Sequence, residues 1–351
     1  MKITARKAGL TGLAGVATIA LLAACGQAPD AEAPAASGDV VDGFLPCIVS
    51  DSGGFDDKSF NQSGYEGLQA AATELGLTPK ESESNSEDEF GPNLNSLIDQ
   101  NCTMITTVGF LLASATEDAA KANPDVEFAI LDDNSIEADN VKPVIFDTAQ
   151  AAFLAGYTAA DYSKTGVVGT FGGMEIPTVT IFMDGFVEGV EYYNEQKDAD
   201  VKVISDLYTG EFAANDKAKQ TSKTLIDQDA DVIMPVAGPA FQSTVAAAEE
   251  ASGDVAIIGV DADLVETYPQ AKDYFLTSVM KEMSGAVETI VTDASAGNFD
   301  NSPYVGTLEN EGVSLAPFHE FEDKVSDSLQ GELDTIKAGI IDGSITVKAS
   351  L

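Results

Sequence analysis

The sequence predicts an α/β protein built as two lobes, each a parallel sheet wound by helices, facing one another across a central cleft. Three observations carry that prediction. Strand-like and helix-like stretches alternate through the chain at lengths that require parallel strands joined by right-handed crossovers. A strand, an acid, a glycine loop and a helix start follow one another before residue 60, the layout found at the carboxyl edge of an open α/β sheet. The two halves also share a spacing, since Gly109 to Asp132 and Gly238 to Asp261 are both 23 residues. The ~310 residues beyond the leader and tether exceed one comfortable core and suggest two.

The chain opens with Lys2, Arg6 and Lys7, then the apolar run AGLTGLAGVATIALL, then Leu22-Ala23-Ala24-Cys25. A charged start, a short apolar core and small residues before the break describe a secretory leader over 1–24. The run falls short of the ~20 apolar residues a membrane span needs. Cysteine directly after Leu-Ala-Ala resembles a bacterial lipobox, which implies lipidation of Cys25; an ordinary cleaved leader with an incidental cysteine is the alternative. Residues 25–39 hold that cysteine and a small, acidic, proline-containing tether.

The first strand lies in VVDGFLPCIVS and ends at Asp51. A tight loop through Gly53 and Gly54 follows, and a helix opens on Ser59. Ser59 and Gln62 have the spacing of a capping box, which satisfies amide donors otherwise unpaired at a helix start. Phe60, Gly64, Gly67, Leu68, Ala71, Ala72 and Leu75 then mark one helical face. Asp57 and Lys58 read as loop and rim charges, and Asp56 as a contributor to the loop's turn. A third strand, NCTMITTVGF, reaches Gly109; a helix covers SATEDAAKANP; and FAILDD ends a strand at Asp132.

The second half repeats the plan. VGTFGGMEIPTVTIFMDGFVEGVEYYNEQ echoes the opening strand, loop and helix. VIMPVAG ends a strand at Gly238, STVAAAEEAS is helical, and VAIIGVDAD reaches Asp261. The segment YFLTSVMK reads as a crossing that leads to Lys281, and VGTLENEGVSLAPF as the return before the closing helix SDSLQGELDTIKAGIIDG. Three crossovers then place 40–147 plus 274–303 in lobe one and 148–273 plus 304–351 in lobe two.

Charge is extreme, with 58 acidic against 18 basic residues. Loss of residues 1–24 removes three bases and no acid, so the net charge moves from −40 to −43. Nucleic acid and anionic lipid surfaces are poor partners for such a field. Arg6 is the only arginine, so the chain beyond the leader has none. Arginine is the usual bidentate clamp for carboxylate and phosphate, and a pocket without it leans away from free amino acids, dicarboxylates and phosphorylated sugars. The absence of tryptophan mildly disfavours a sugar platform built on indole. A single histidine, His319, and three cysteines leave little for a transition-metal site.

With Cys25 lipidated, Cys47 and Cys102 remain as a pair in an oxidising compartment. Cys47 sits on the first strand and Cys102 at the start of the third, neighbours in a 2-1-3-4-5 sheet. A bridge would close a loop of ~55 residues, worth roughly 4 kcal/mol in the chain-entropy model. Two buried thiols are the alternative, since neighbouring strands do not always offer disulfide geometry.

The stretch DSGGFDDKSFNQSGYEG resembles the signature of the basic membrane protein family, the nucleoside-binding lipoproteins of ABC importers, in the spacing of its Asp, Gly, Asp, Ser-Phe-Asn and Gly. Further similarity runs through FAILD, GGMEIP, GFVEG, DADVIMPVAG, IGVDAD and TSVMK. The resemblance implies a type I periplasmic-binding-protein fold that closes on a purine nucleoside, with no cofactor and no catalysis. It also implies an anchor at the extracytoplasmic face of the cell membrane, permease and ATPase partners, and a monomeric receptor. Carried over by position, Asp51, Phe60, Asn61, Asp132, Gly238, Asp261 and Lys281 would line the pocket.

Those residue types suit that ligand. Phe60 can stack on a flat base for about 1–3 kcal/mol. Asp261 can accept from vicinal ribose hydroxyls in charge-assisted bonds. Asp132 and Asn61 suit a base edge, and Lys281 balances aspartates that would otherwise repel one another and rise in pKa. Pro239, Ala240 and Phe241 follow Gly238 where the family has a further glycine, so Phe241, Phe110 or Phe186 are candidates for an opposite stacking face. Other readings remain open: a receptor for another neutral ligand such as a pentose or signalling furanose, a nucleosidase or glycosidase using paired aspartates, and a structural surface lipoprotein. A calcium loop in DSGGFDD lacks EF-hand spacing.

Overall fold

The computed structural model describes residues 40–350, so the expected leader, Cys25 and the tether to residue 39 lie outside the described residues. The first sheet starts with β1 (Pro46–Ser52), α1 (Phe60–Leu75), β2 (Lys80–Ser84), α2 (Phe90–Asp99), β3 (Met104–Val108), α3 (Ala113–Ala122), β4 (Glu127–Leu131) and β5 (Val141–Phe146). The second half runs through α4 (Thr148–Tyr162), β6 (Val167–Gly172), α5 (Pro177–Lys197), β7 (Lys202–Ile204), α6 (Asp216–Ile226), β8 (Val232–Val236), α7 (Phe241–Glu249) and β9 (Ala256–Asp261). The short α8 (Leu264–Thr267), β10 (Phe275–Lys281), α9 (Met283–Ser295), β11 (Tyr304–Gly306), β12 (Val313–Leu315) and α10 (Leu329–Ile341) complete the chain.

Each sheet has six strands, in the orders β2-β1-β3-β4-β5-β11 and β7-β6-β8-β9-β10-β12. All pairings are parallel except β10 with β12. In both sheets the winding direction reverses beside the first strand, so ligand crevices are expected off the carboxyl ends of β1 and β3 in one and β6 and β8 in the other. Strands β1, β3, β8 and β9 are buried on both faces, which is why they read as apolar runs rather than alternating ones.

The lobe boundaries need correcting at two strands. Residues 275–281, expected in lobe one, form β10 and pair with β9 in the second sheet. Residues 304–306, expected in lobe two, form β11 and pair with β5 in the first. FLTSVMK is therefore the fifth strand of its sheet rather than a crossing; Phe275 to Val279 are all buried, as a central strand requires. The chain leaves the first sheet after β5, returns after β10, where α9 packs on α1, and crosses again after β11.

One core cluster runs through the inner faces of the sheets and the helices α1, α4, α5 and α9. Smaller clusters fill the outer layers, one under α2 and α3 and one under α6 and α7. Helices α4 and α5 pack backbone to backbone: a methyl group on Gly156 would sit 2.0 Å from the Phe186 carbonyl oxygen. Cys47 and Cys102 are joined by a disulfide, with Cα atoms 6.0 Å apart, which ties β1 to the turn before β3. Among the described residues no helix is long and apolar enough to cross a membrane.

Candidate functional site

The site grows from two copies of one backbone device. In each sheet a strand ends at a glycine of positive φ, Gly109 at 123° after β3 and Gly238 at 51° after β8. A single 3-10 turn and a helix follow, and the next strand, β4 or β9, delivers an aspartate in the left-handed region: Asp132 at 64° and Asp261 at 71°. Aspartate tolerates that region better than most residues, yet buried αL residues persist only where their surroundings hold them, commonly at functional sites. The equal spacings seen in the sequence thus correspond to the same order of positive-φ glycine, 3-10 turn, helix and left-handed aspartate, with the two glycines differing in φ. Glycine at 109 is also a steric requirement, because a methyl group there would lie 2.2 Å from an Asp51 carboxylate oxygen.

Asp51, Phe60, Asn61, Asp132, Gly238, Asp261 and Lys281 all line one cavity of about 560 Å³ between the sheets. Among the described residues Lys281, at the end of β10, is its only cationic side chain. The ammonium lies 2.6 Å from Asp132 Oδ2 and 3.5 Å from Asp261 Oδ1, with all three side chains buried. Burial alone would lower the Lys281 pKa, but the two carboxylates outweigh it and hold the ammonium above its ordinary value. Burial raises the Asp132 carboxyl, and Lys281 pulls it back.

Asp51 differs from the other two acids because it has no cation. Burial pushes it up to about 8, the nearby Asp57, Asp132 and Asp261 add to the rise, and a bond from Asn61 opposes it. Asn61 Nδ2 donates to Asp51 Oδ1 at 2.9 Å. A carboxyl in that range is mostly protonated at neutral pH, so Asp51 presents a neutral O–H to the cavity. The Asn61 side-chain oxygen is buried and has no hydrogen-bond partner. In a cavity wall such an acceptor is available to a ligand N–H.

The entry to α1 is built differently from the expected capping box. Asp57, which read as a rim charge, is 3% exposed and accepts from the amides of Ser59, Asn61 and Gln62 at 2.9–3.0 Å. A carboxylate there satisfies three unpaired donors and sits at the favourable end of the helix dipole. Ser59 is thereby freed from capping. Its hydroxyl donates across the cleft to the Val260 carbonyl at 3.1 Å and to Asp261 Oδ2 at 3.0 Å. Thr267 reaches the other way, donating to the Lys58 carbonyl at 2.7 Å. These bonds tie the lobes together at the mouth. Asp56 is exposed and pairs with Lys58.

Aromatic walls come partly from residues the sequence did not single out. Phe60 and Phe182 lie on different lobes, and the Lys281 ammonium is 5.0 Å and 5.1 Å from their ring centroids. Phe110 and Phe212 also line the cavity. Of the three candidates for an opposite face, only Phe110 is there. Phe186 is fully buried in the core, and Phe241 packs edge-on against Tyr268 and Phe275 beneath α7. Phe182 and Phe186 stand one turn apart on α5, so helical spacing alone could not tell which one faces the cleft. His319 lies outside the cavity and contacts Asp263 at 2.7 Å. Among the described residues no cluster of His, Cys, Asp and Glu is arranged to hold a metal ion.

Comparison with known proteins agrees along nearly the whole described chain. A family model described as ABC transporter substrate-binding protein PnrA-like, Bmp, matches residues 45–350. The CD4+ T-cell-stimulating antigen of Listeria monocytogenes is 32% identical over 349 residues, 95% of each chain. The ABC transporter nucleoside-binding protein BmpA of Lactococcus lactis is 31% identical over 350 residues, covering 95% of this chain and 96% of that one. Among solved structures, an ABC transporter solute-binding protein from Aeropyrum pernix superimposes with a TM-score of 0.78 at 26% identity, covering 86% of this chain and 92% of the other. A ribose-bound LacI-family regulator from Enterococcus faecium, 15% identical with a TM-score of 0.59 over 78% of this chain and 97% of that one, shares the type I periplasmic-binding fold.

Proposed function

The chain belongs to the Bmp family of PnrA-like ABC transporter substrate-binding proteins, and from that premise we propose that it captures a purine nucleoside in the interlobe cleft and hands it to an ABC permease. On this reading Cys25 carries the lipid that anchors it to the extracytoplasmic face of the cell membrane. The observation that carries the reading is the make-up of one cavity: aromatic rings from both lobes, four aspartates, an unpartnered amide oxygen and, among the described residues, a single ammonium. Flat apolar walls suit a base. A polar set with no bidentate cation suits a neutral ligand rich in N–H and O–H donors.

We assign the base to lobe one and the ribose to lobe two. Phe60 stacks on the base, with Phe182 and Phe212 supplying the facing wall. Asn61 Oδ1 and Asp132 accept from the base edge, and neutral Asp51 donates to an acceptor on it. Asp261 accepts from the ribose hydroxyls, while the Gly238 loop approaches closely and Lys281 holds both carboxylates in place. A ligand touching both lobes binds the closed arrangement better than the open one, which is what shifts a hinge equilibrium. The nucleoside-binding name of the Lactococcus lactis relative supports this choice of ligand class.

Calorimetry against purine and pyrimidine nucleosides, free bases, pentoses and nucleoside monophosphates tests the reading. A purine nucleoside should bind much more tightly than its monophosphate and be recovered intact. Equal or tighter binding of the monophosphate, preference for a free pentose, or release of free base would each refute it. For the anchor, Cys25→Ser should move the protein out of the membrane fraction; unchanged retention with an unmodified Cys25 by mass spectrometry would exclude lipidation.

A further inference from the structure

Beside the cleft lies a second cavity, of about 630 Å³, to which no role has been assigned above. The two share Phe110, Asp132, Thr178 and Lys281 as wall residues. The second cavity is therefore next to the first at the place where the Asp132–Lys281 ion pair stands.

Its polar groups are unequal. Asp133 is buried, and both its oxygens are occupied by the Ser135 amide and hydroxyl. Lys281 is committed to Asp132 and Asp261. Thr148, the first residue of α4, is 1% exposed and lines the cavity, yet its hydroxyl has no hydrogen-bond partner. A buried hydroxyl left unpaired is unfavourable, and the few that exist in native proteins call for a reason. Ile145, Phe146 and Ile181 make the remaining walls largely apolar.

We propose that this cavity is a subsite for a small neutral substituent on the base of the ligand, with an apolar stem against Ile145 and Ile181 and a hydroxyl or N–H group meeting Thr148. A charged extension is disfavoured, because among the described residues the cavity offers no uncommitted cation or anion to pair with it. The proposal rests on the placement of the base edge against Asp132. It goes further in making this receptor one for base-modified nucleosides as well as plain ones.

Calorimetry on the full chain tests it with adenosine, guanosine, their N6- and N2-(2-hydroxyethyl) derivatives, the matching N-ethyl derivatives, and the 5′-O-(2-hydroxyethyl) nucleosides. At least one N-hydroxyethyl nucleoside should bind within about threefold of its parent. Ile181→Phe, which fills the second cavity without lining the first, should weaken that derivative at least tenfold and leave the parent within about threefold. Thr148→Val should weaken the hydroxyethyl derivative about tenfold while sparing the ethyl one, a difference that mere loss of fold could not produce. A hundredfold loss for every N-substituted derivative in the unaltered protein overturns the subsite and leaves nucleoside capture standing. Tolerance of 5′-O-substitution alone also overturns it, since the ribose would then face Thr148. Failure of every parent nucleoside to bind removes the functional reading and the subsite together.

Discussion

Replacing Lys281 with methionine removes the one cation from a buried cluster of acids and keeps most of the side-chain volume. The ammonium is 2.6 Å from Asp132 and 3.5 Å from Asp261, and its side chain is 3% exposed. Breaking a buried pair from one side leaves an uncompensated charge and costs about 3–5 kcal/mol. With unfolding entropy near 2.1 cal/mol/K per residue, ~310 residues give about 0.65 kcal/mol/K, so the melting temperature should fall by roughly 5–8 °C. The loss should also depend on pH. Without the cation nothing offsets the burial that raises the Asp132 carboxyl in the folded state, so the variant regains stability as pH falls from 8 toward 4. Circular dichroism melts of the apo protein at pH 4.5, 6 and 8 measure both effects, and Lys281→Met combined with Asp132→Asn should recover part of the deficit. A fall below 2 °C at pH 8, or a deficit independent of pH, would refute the premise that Lys281 neutralises the cluster.

Three further outcomes follow from the same geometry. Asp51 is raised from 3.8 to about 8, so its contribution to folding is present in full below pH 4 and is lost as pH rises to 8; Asp51→Asn should flatten the pH dependence of the melting temperature across that window, and parallel profiles would mean that Asp51 is ionised in the fold. Asp261→Ala should weaken a nucleoside by about 1.5–3 kcal/mol, roughly ten- to a hundredfold, and spare the free base, whereas Phe60→Ala should weaken both; equal loss for base and nucleoside in Asp261→Ala would undo the proposed division of the ligand between lobes. Replacing Cys47 and Cys102 together by alanine should cost about 2–5 kcal/mol, read as a lower midpoint in urea, and an unchanged midpoint would show that the bond adds nothing to stability.

Much of this protein is written locally in its chain. Alternating strand and helix lengths, the Gly-to-Asp spacings and the apolar strand runs determine the parallel sheets and the equivalent backbone turns, because periodicity, chirality and glycine's access to positive φ act within a few residues. The cleft residues Asp51, Asp132, Gly238 and Asp261 were legible for the same reason: each stands at the carboxyl end of a strand, where the fold itself points toward the crevice, whereas Lys281 was placed there only by family resemblance. Tertiary structure decided what depended on distant partners. Whether FLTSVMK crosses between lobes or serves as a fifth strand turned on the edge that β9 offers it. Ser59 looked like a cap until Asp57 folded back to take its three amides, leaving the hydroxyl to cross the cleft. Phe182 and Phe186, one turn apart, were separated into cavity wall and core only by where α4 and β6 lie against α5. The pKa of Asp51 was invisible in sequence, since it arises from burial among acids up to 210 positions away. Local propensity sets which elements form; the dielectric, the charge partners and the cavity walls exist only once those elements pack.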